Sequence, residues 1–275
     1  MSNKLSLNAK KTKYMVFHKQ NKTVMDLNIS INNVAISKVT TFNFLGLHLN
    51  SNLTWNTHVQ EISKKISRVI GLLYKMQLIL PRRILLSLYN TMILPHINYC
   101  LLSWGKDNDS ILKLQKKAVR VISSSEYRAH TEPLFKNLNI LRISDIYNYK
   151  LLIFYYNLTN NNTPTYFDNF TPILSQGNNR YAFRRPQFQI PKYYHVYSKL
   201  TCRYQLPHIL NQYMTTDLHD NGEDAPYLSF VLKNIQNVSL ISFKKSVKSY
   251  FVNKYSSECT IANCYICQLY SVSSI

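Results

Sequence analysis

Three groupings in this chain have residue types suited to chemistry: two close carboxylate pairs, a set of histidines and a cysteine-rich tail. Paired carboxylates can hold the two divalent cations that nucleotidyl transfer needs, and the nearest pairs are Asp107 with Asp109 and Glu223 with Asp224. Both sit in polar, loop-like surroundings rather than at the tip of a strand hairpin, and Asp109, followed by Ser110 and an apolar run, reads as a helix cap. His18, His48, His58, His96, His130, His195, His208 and His219 are scattered, with no H-E-x-x-H and no repeated short spacing. Nothing pairs a serine or cysteine with one of them for nucleophilic catalysis. Cys259, Cys264 and Cys267 form a C-x4-C-x2-C array. A structural zinc site takes four ligands, yet no fourth cysteine and no histidine follows. Three incidental cysteines is the simpler reading; zinc held through a distant histidine or a second chain is the other. No catalytic residue and no cofactor is expected.

Cations dominate instead. Lysine and arginine total 33 against 13 acidic residues, a net charge of +20 in 275 residues. Dense positive charge favours a polyanionic partner, foremost nucleic acid. The excess is uneven: residues 1–125 hold 18 Lys and Arg against 4 Asp and Glu, and the remainder 15 against 9, so the binding face is expected mainly in the first half. With 5 glycines, and neither G-x-G-x-x-G nor G-x-x-x-x-G-K, there is no phosphate-cradling loop, and no small-molecule substrate is expected. The 21 tyrosines include candidates for base stacking, although a Tyr- and Asn-rich chain also reflects an AT-rich genome, the simpler reading for most. Five cysteines, an odd number, and no apolar leader point to an intracellular protein, cytoplasmic or nuclear. No apolar run reaches membrane-spanning length, so no membrane partner is expected.

The elements that must carry these cations fall into two kinds. From Lys4 to Asn8 a helix end leads to a strand at Tyr14–Phe17. Leu27, Ile29 and Ile31 alternate up to an Asn32-Asn33 turn, Val34, Ile36 and Val39 resume, and Phe42, Phe44, Leu45, Leu47 and Leu49 form a strand interrupted by Gly46. Together they predict a small antiparallel sheet. From Asn56 the period becomes helical, with Val59, Ile62, Ile66, Val69, Leu73 and Met76 on one stripe. Lys64, Arg68 and Lys75 lie on another face, with Lys65 beside them. Pro81 closes this helix, and a second, Arg82–Met92, is expected to end before Pro95. A third, Ile111–Ile122, turns Leu114, Ala118, Val121 and Ile122 inward and carries Lys113, Lys117 and Arg120 at i, i+4 and i+7, with Lys116 adjacent. A fourth is expected over Ser144–Asn157. Order then weakens: Asn160–Pro164 is a loop, Ser175–Arg185 is polar, Tyr181–Lys192 is basic and aromatic, and a last helix covers Val238–Phe251. The class is α+β, a small sheet followed by a mainly helical region.

The order of short motifs resembles the end of the palm, the thumb and the connection region of reverse transcriptases from non-LTR (LINE- and jockey-like) retrotransposons. The motifs are Lys11-Thr12-Lys13, Phe44-Leu45-Gly46, Leu53-Thr54-Trp55-x-x-His58, Leu88-Tyr89 through Pro95 and Tyr99, Trp104-Gly105, Leu114-Gln115-Lys116, His130-Thr131-Glu132-Pro133-Leu134-Phe135 and Ile241-Ser242-Phe243-Lys244. Arg203-Tyr204-Gln205-Leu206-Pro207 stands where the family often has Trp-Asn-x-Leu-Pro, a degraded match. Each motif is weak alone, but the ordered set spans residues 3 to about 255.

The resemblance implies domains at 1–54 (palm remnant), 55–160 (thumb-like) and 161–275 (connection-like, with the cysteine tail), and a catalytic aspartate hairpin that would precede Leu5. The parent family is an RNA-directed DNA polymerase that needs magnesium; this chain alone is expected not to polymerise. It implies sequence-tolerant binding of RNA or RNA–DNA hybrid through Lys64, Lys65, Arg68, Lys75, Lys113, Lys116, Lys117 and Arg120, unless these rows are ordinary solvated faces. It also implies that Phe44 and Gly46 approach a primer end, unless Gly46 is a simple bulge, and that Lys11 and Lys13 neighbour the incoming nucleotide, unless their role is only at the surface. A domesticated basic nucleic-acid-binding protein and a functionless pseudogene product are the competing readings.

Overall fold

The computed structural model describes residues 7–9, 11–19, 25–106, 108–174, 188–193, 196–215 and 225–257. It is α+β, as expected, and divides into two compact units, 1–65 and 66–275.

In the first unit six short strands pair two by two: β1 (Lys13–Tyr14), β2 (Ser30–Ile31), β3 (Val34–Ala35), β4 (Ser37–Lys38), β5 (Thr41–Phe44) and β6 (Leu47–Asn50). They do not join into one antiparallel sheet. β2 pairs with β3 and β5 with β6 antiparallel, whereas β1 pairs with β4 in parallel. The reason lies at the turns. Asn32 and Asn33 both take positive φ (51° and 62°), and Leu45 and Gly46 do the same (49° and 86°), the backbone that closes a two-residue hairpin with the correct twist. Each hairpin is therefore complete locally. Gly46 is the second residue of such a turn rather than a bulge within one strand, and its amide donates to Asn43 Oδ1 at 3.0 Å. Tyr14–Phe17 is shorter than expected, because only Lys13–Tyr14 finds a partner. Within this unit the described buried side chains are Ile36, His58 and Ile62; all four residues of β5 are exposed.

The second unit is helical. Helix α1 (Asn56–Met76) bridges the boundary in sequence. Ile62, Ile66 and Leu73 of its apolar stripe are buried, and Lys75 in its last turn complements the negative end of the helix dipole. Next come α2 (Arg82–Leu88), a π turn at Tyr89–Ile93, α3 (Leu94–Asn98) and α4 (Leu101–Trp104). The helix thus continues through Pro95 instead of stopping before it. Proline has no N–H and crowds the carbonyl four residues back; the wider π turn directly before it, closed by the Leu94 amide on the Tyr89 carbonyl, accommodates both defects.

α5 (Asp109–Ile122) begins at Asp109 itself, with Asn108 at the cap position. Asp109 is therefore a first-turn residue at the positive dipole end, not the cap. Its inward face is Ile111, Gln115, Ala118, Val119 and Ile122; Leu114 and Val121, expected inside, are half-buried. α6 (Glu132–Asn137) and α7 (Ile143–Thr159) follow. α7 buries residues nearly all round, from Ile143 and Tyr147 to Leu152 and Leu158, the mark of a central helix. It contacts α4 and α5, and α9 and α11 of the helices that follow. These later helices are α8 (Val196–Lys199), α9 (Cys202–Thr215), α10 (Ala225–Lys233) and α11 (Leu240–Asn253), the last capped by Ser239 Oγ on the Ser242 amide. α9 was not foreseen. It carries Pro207 in its interior, a residue that argues against a helix in a single sequence. Among the described residues no helix is long and apolar enough to cross a membrane.

Candidate nucleic-acid interface

Several of the motif residues, Tyr89, Trp104, Gln115 and Phe135 among them, are buried. Gln115 is fully buried. Its Nε2 donates to Tyr89 Oη (2.9 Å) and the Leu141 carbonyl (3.2 Å), and its Oε1 accepts the Ile143 amide (2.8 Å). Residues from the π turn, α5 and the start of α7 are thereby tied at one point, and the Tyr89 phenol, shut away from water, has its pKa raised. Trp104 Nε1 donates to the Tyr99 carbonyl at 2.8 Å. A Cβ on Gly105 would lie 2.2 Å from Leu101 Cδ1, which requires glycine there. Arg142 bridges Asp145 (3.2 Å) and Glu132 (3.5 Å) and lies 4.3 Å over the Tyr255 ring, while Tyr255 donates to Asp145.

In the first unit His58 is buried, and its Nδ1 accepts the His48 amide at 3.4 Å. Burial, the neighbouring His48 and then Lys65 lower its pKa to about 4, so the ring is neutral at pH 7. Phe44 and Leu45 project at the β5–β6 turn, 54% and 75% exposed. Lys11 and Lys13 are exposed too, Lys13 Nζ donating to Ser37 Oγ. Lys64 is paired with Glu61 at 2.7 Å, whose carboxyl pKa that lysine lowers; Lys65 is exposed.

In the second unit residues of α1 and α5 line one groove. Its volume is about 620 Å³. Ile70, Gly71, Leu114 and Val121 give it an apolar surface, Lys117 and Arg120 stand at it, and Tyr74 and Tyr127 close it, 64% and 78% exposed. None of the lining residues is acidic. Arg68, Lys75 and Lys113 are exposed on the same two helices, and Lys116 is half-buried. Arg120 differs from its expected place in a solvated row: it is half-buried, its Nε donates to the Ala129 carbonyl at 2.9 Å, and desolvation lowers its pKa. Leu114 and Val121 are only half-buried because they face this groove. Sequence reasoning missed Tyr74, Gly71 and Tyr127, since a Tyr-rich composition hides the few that matter.

Four of the described carboxylates are paired with cations. Asp26 is bonded to Lys38, Glu61 to Lys64, and Glu132 and Asp145 to Arg142. Among the described residues no group of three or more His, Cys, Asp or Glu side chains is placed to hold a metal. Asp107, Glu223, Asp224, Cys259, Cys264 and Cys267 lie outside the described residues. No family model, curated protein or solved structure matches this chain.

Proposed function

We propose that this chain carries the nucleic-acid-tracking part of a reverse transcriptase-like protein of the non-LTR type, and that it binds RNA or RNA–DNA hybrid without reading sequence. The observation that carries this reading is the α1–α5 groove: a cationic rim without carboxylates, an apolar floor, and two tyrosines with exposed ring faces. Lysine and arginine contact phosphates irrespective of base, and aromatic rings stack on any base, so the combination suits a strand that must slide. The ordered motifs support the same reading from the sequence side. No polymerase step is assigned to these residues. Groove binding is common to a polymerase portion and to a stand-alone basic binding protein, and the +20 charge fits both.

The test must separate the groove from diffuse attraction. Gly71 lines the groove, and a Cβ placed there meets no atom within 4 Å, so Gly71→Leu fills the groove without altering charge or core. Binding to a labelled RNA–DNA hybrid is expected to weaken about tenfold. Charge removal elsewhere in the unit, at Lys199 or Lys254, is expected to change it less than twofold. Equal losses from all three variants would show that the groove is not the site.

A further inference from the structure

A second pocket, of about 580 Å³, opens in the helical unit where α3, α4, α7 and α11 come together. It is unlike the groove. Lys150 and Asn157 of α7, Lys244 of α11 and Asn98 of α3 line it beside Tyr149 and Phe154, and no lining residue is acidic. Lys150 is half-buried, yet among the described residues no salt bridge or hydrogen bond reaches its side chain, that of Lys244 or the side-chain amides of Asn98 and Asn157. Burial lowers the pKa of Lys150, an effect that the free thiol of Cys100 partly offsets. A half-buried cation with no counter-charge costs stability. Elsewhere in this unit the half-buried Arg142 is answered by two carboxylates, whereas Lys150 opens onto a pocket whose lining carries no acidic residue.

We propose that this pocket is a nucleotide phosphate site, with Lys150 and Lys244 taking the phosphate, Asn98 and Asn157 supplying further donors, and the base lying against Tyr149 and Phe154. Phe154 is a fixed wall for a base, held edge-to-face by Phe167 at 5.6 Å. The volume lies within the range of small-ligand sites. The phosphate belongs either to a free nucleotide or to the end of a strand, and the two share this chemistry.

Equilibrium dialysis of the full chain against labelled AMP, and separately against a 5′-phosphorylated and a 5′-hydroxyl dinucleotide, tests it. Saturable binding of AMP, or of the phosphorylated dinucleotide over the hydroxyl form, is expected; the first arm identifies a free nucleotide and the second a strand end. Lys150→Met should weaken that binding about tenfold or more and Lys244→Met about threefold or more, with Lys150→Arg restoring most of it. Gly71→Leu should leave it unchanged, which keeps this site separate from the groove. Circular dichroism melting establishes that each variant is folded; Lys150→Met, losing an uncompensated cation, is expected to melt no lower than the parent chain. Binding by Lys150→Met equal to the parent, or no binding in either arm by a folded chain, would overturn the proposal.

Discussion

At the scale of single residues, polar side chains in the core set conditions on stability. Gln115 satisfies a phenol, a carbonyl and an amide at once. Replacing it with leucine of similar size leaves those groups buried without partners, each costing about 1 kcal/mol or more. Chemical denaturation of Gln115→Leu is therefore expected to show a loss of about 3 kcal/mol. A change under about 0.5 kcal/mol would mean the hub contributes little. His58 works through pH. Its folded pKa is about 4 against an ordinary 6.5, so between those values the unfolded chain binds more protons. Stability is full above pH 6.5, falls as pH drops through this window, and levels off below about 4. The loss amounts to roughly 3 kcal/mol. Melting midpoints at pH 7 and 4.5 should differ more for the parent chain than for His58→Gln; equal differences would contradict the assignment.

At the scale of elements, the helices and their cationic rows were legible because period and charge are local properties. α5, α7 and α11 stand within two residues of their expected bounds, while α1 begins at Asn56 as expected but ends at Met76, short of Pro81. What was illegible depends on partners distant in sequence. Gln115 looked like a polar residue between Leu114 and Lys116, and only its contacts with Tyr89, Leu141 and Ile143 make it a core residue. Val121 looked internal by period, yet it faces an open groove. Pro95 looked like a helix stop, and packing overrode it. At the β5–β6 turn, Leu45 occupies a left-handed conformation (φ 49°) that costs a leucine about 1 kcal/mol. Leu45→Asn should relieve that strain and slow amide exchange in β5 and β6 about fivefold. Unchanged exchange would show that the turn does not limit the hairpin.

At the scale of the whole molecule, the two units differ in what holds them. The strands bury little apolar surface, whereas the helical unit encloses Leu73, Tyr89, Phe135, Leu151, Phe243 and many others and carries the groove. The net charge of +20 adds long-range attraction for polyanions, which salt screens. Specific seating at α1 and α5 and general attraction therefore separate in one measurement: affinity for an RNA–DNA hybrid across a salt series, with the parent chain beside a variant carrying Gln at Arg68, Lys75, Lys113 and Lys117. A steep fall with salt is predicted for the parent chain. The variant should bind more weakly, with its log–log slope shallower by about 3, the release expected for four lost phosphate contacts. A variant with the parent's affinity and slope, or a folded parent chain that does not bind at low salt, would contradict the account.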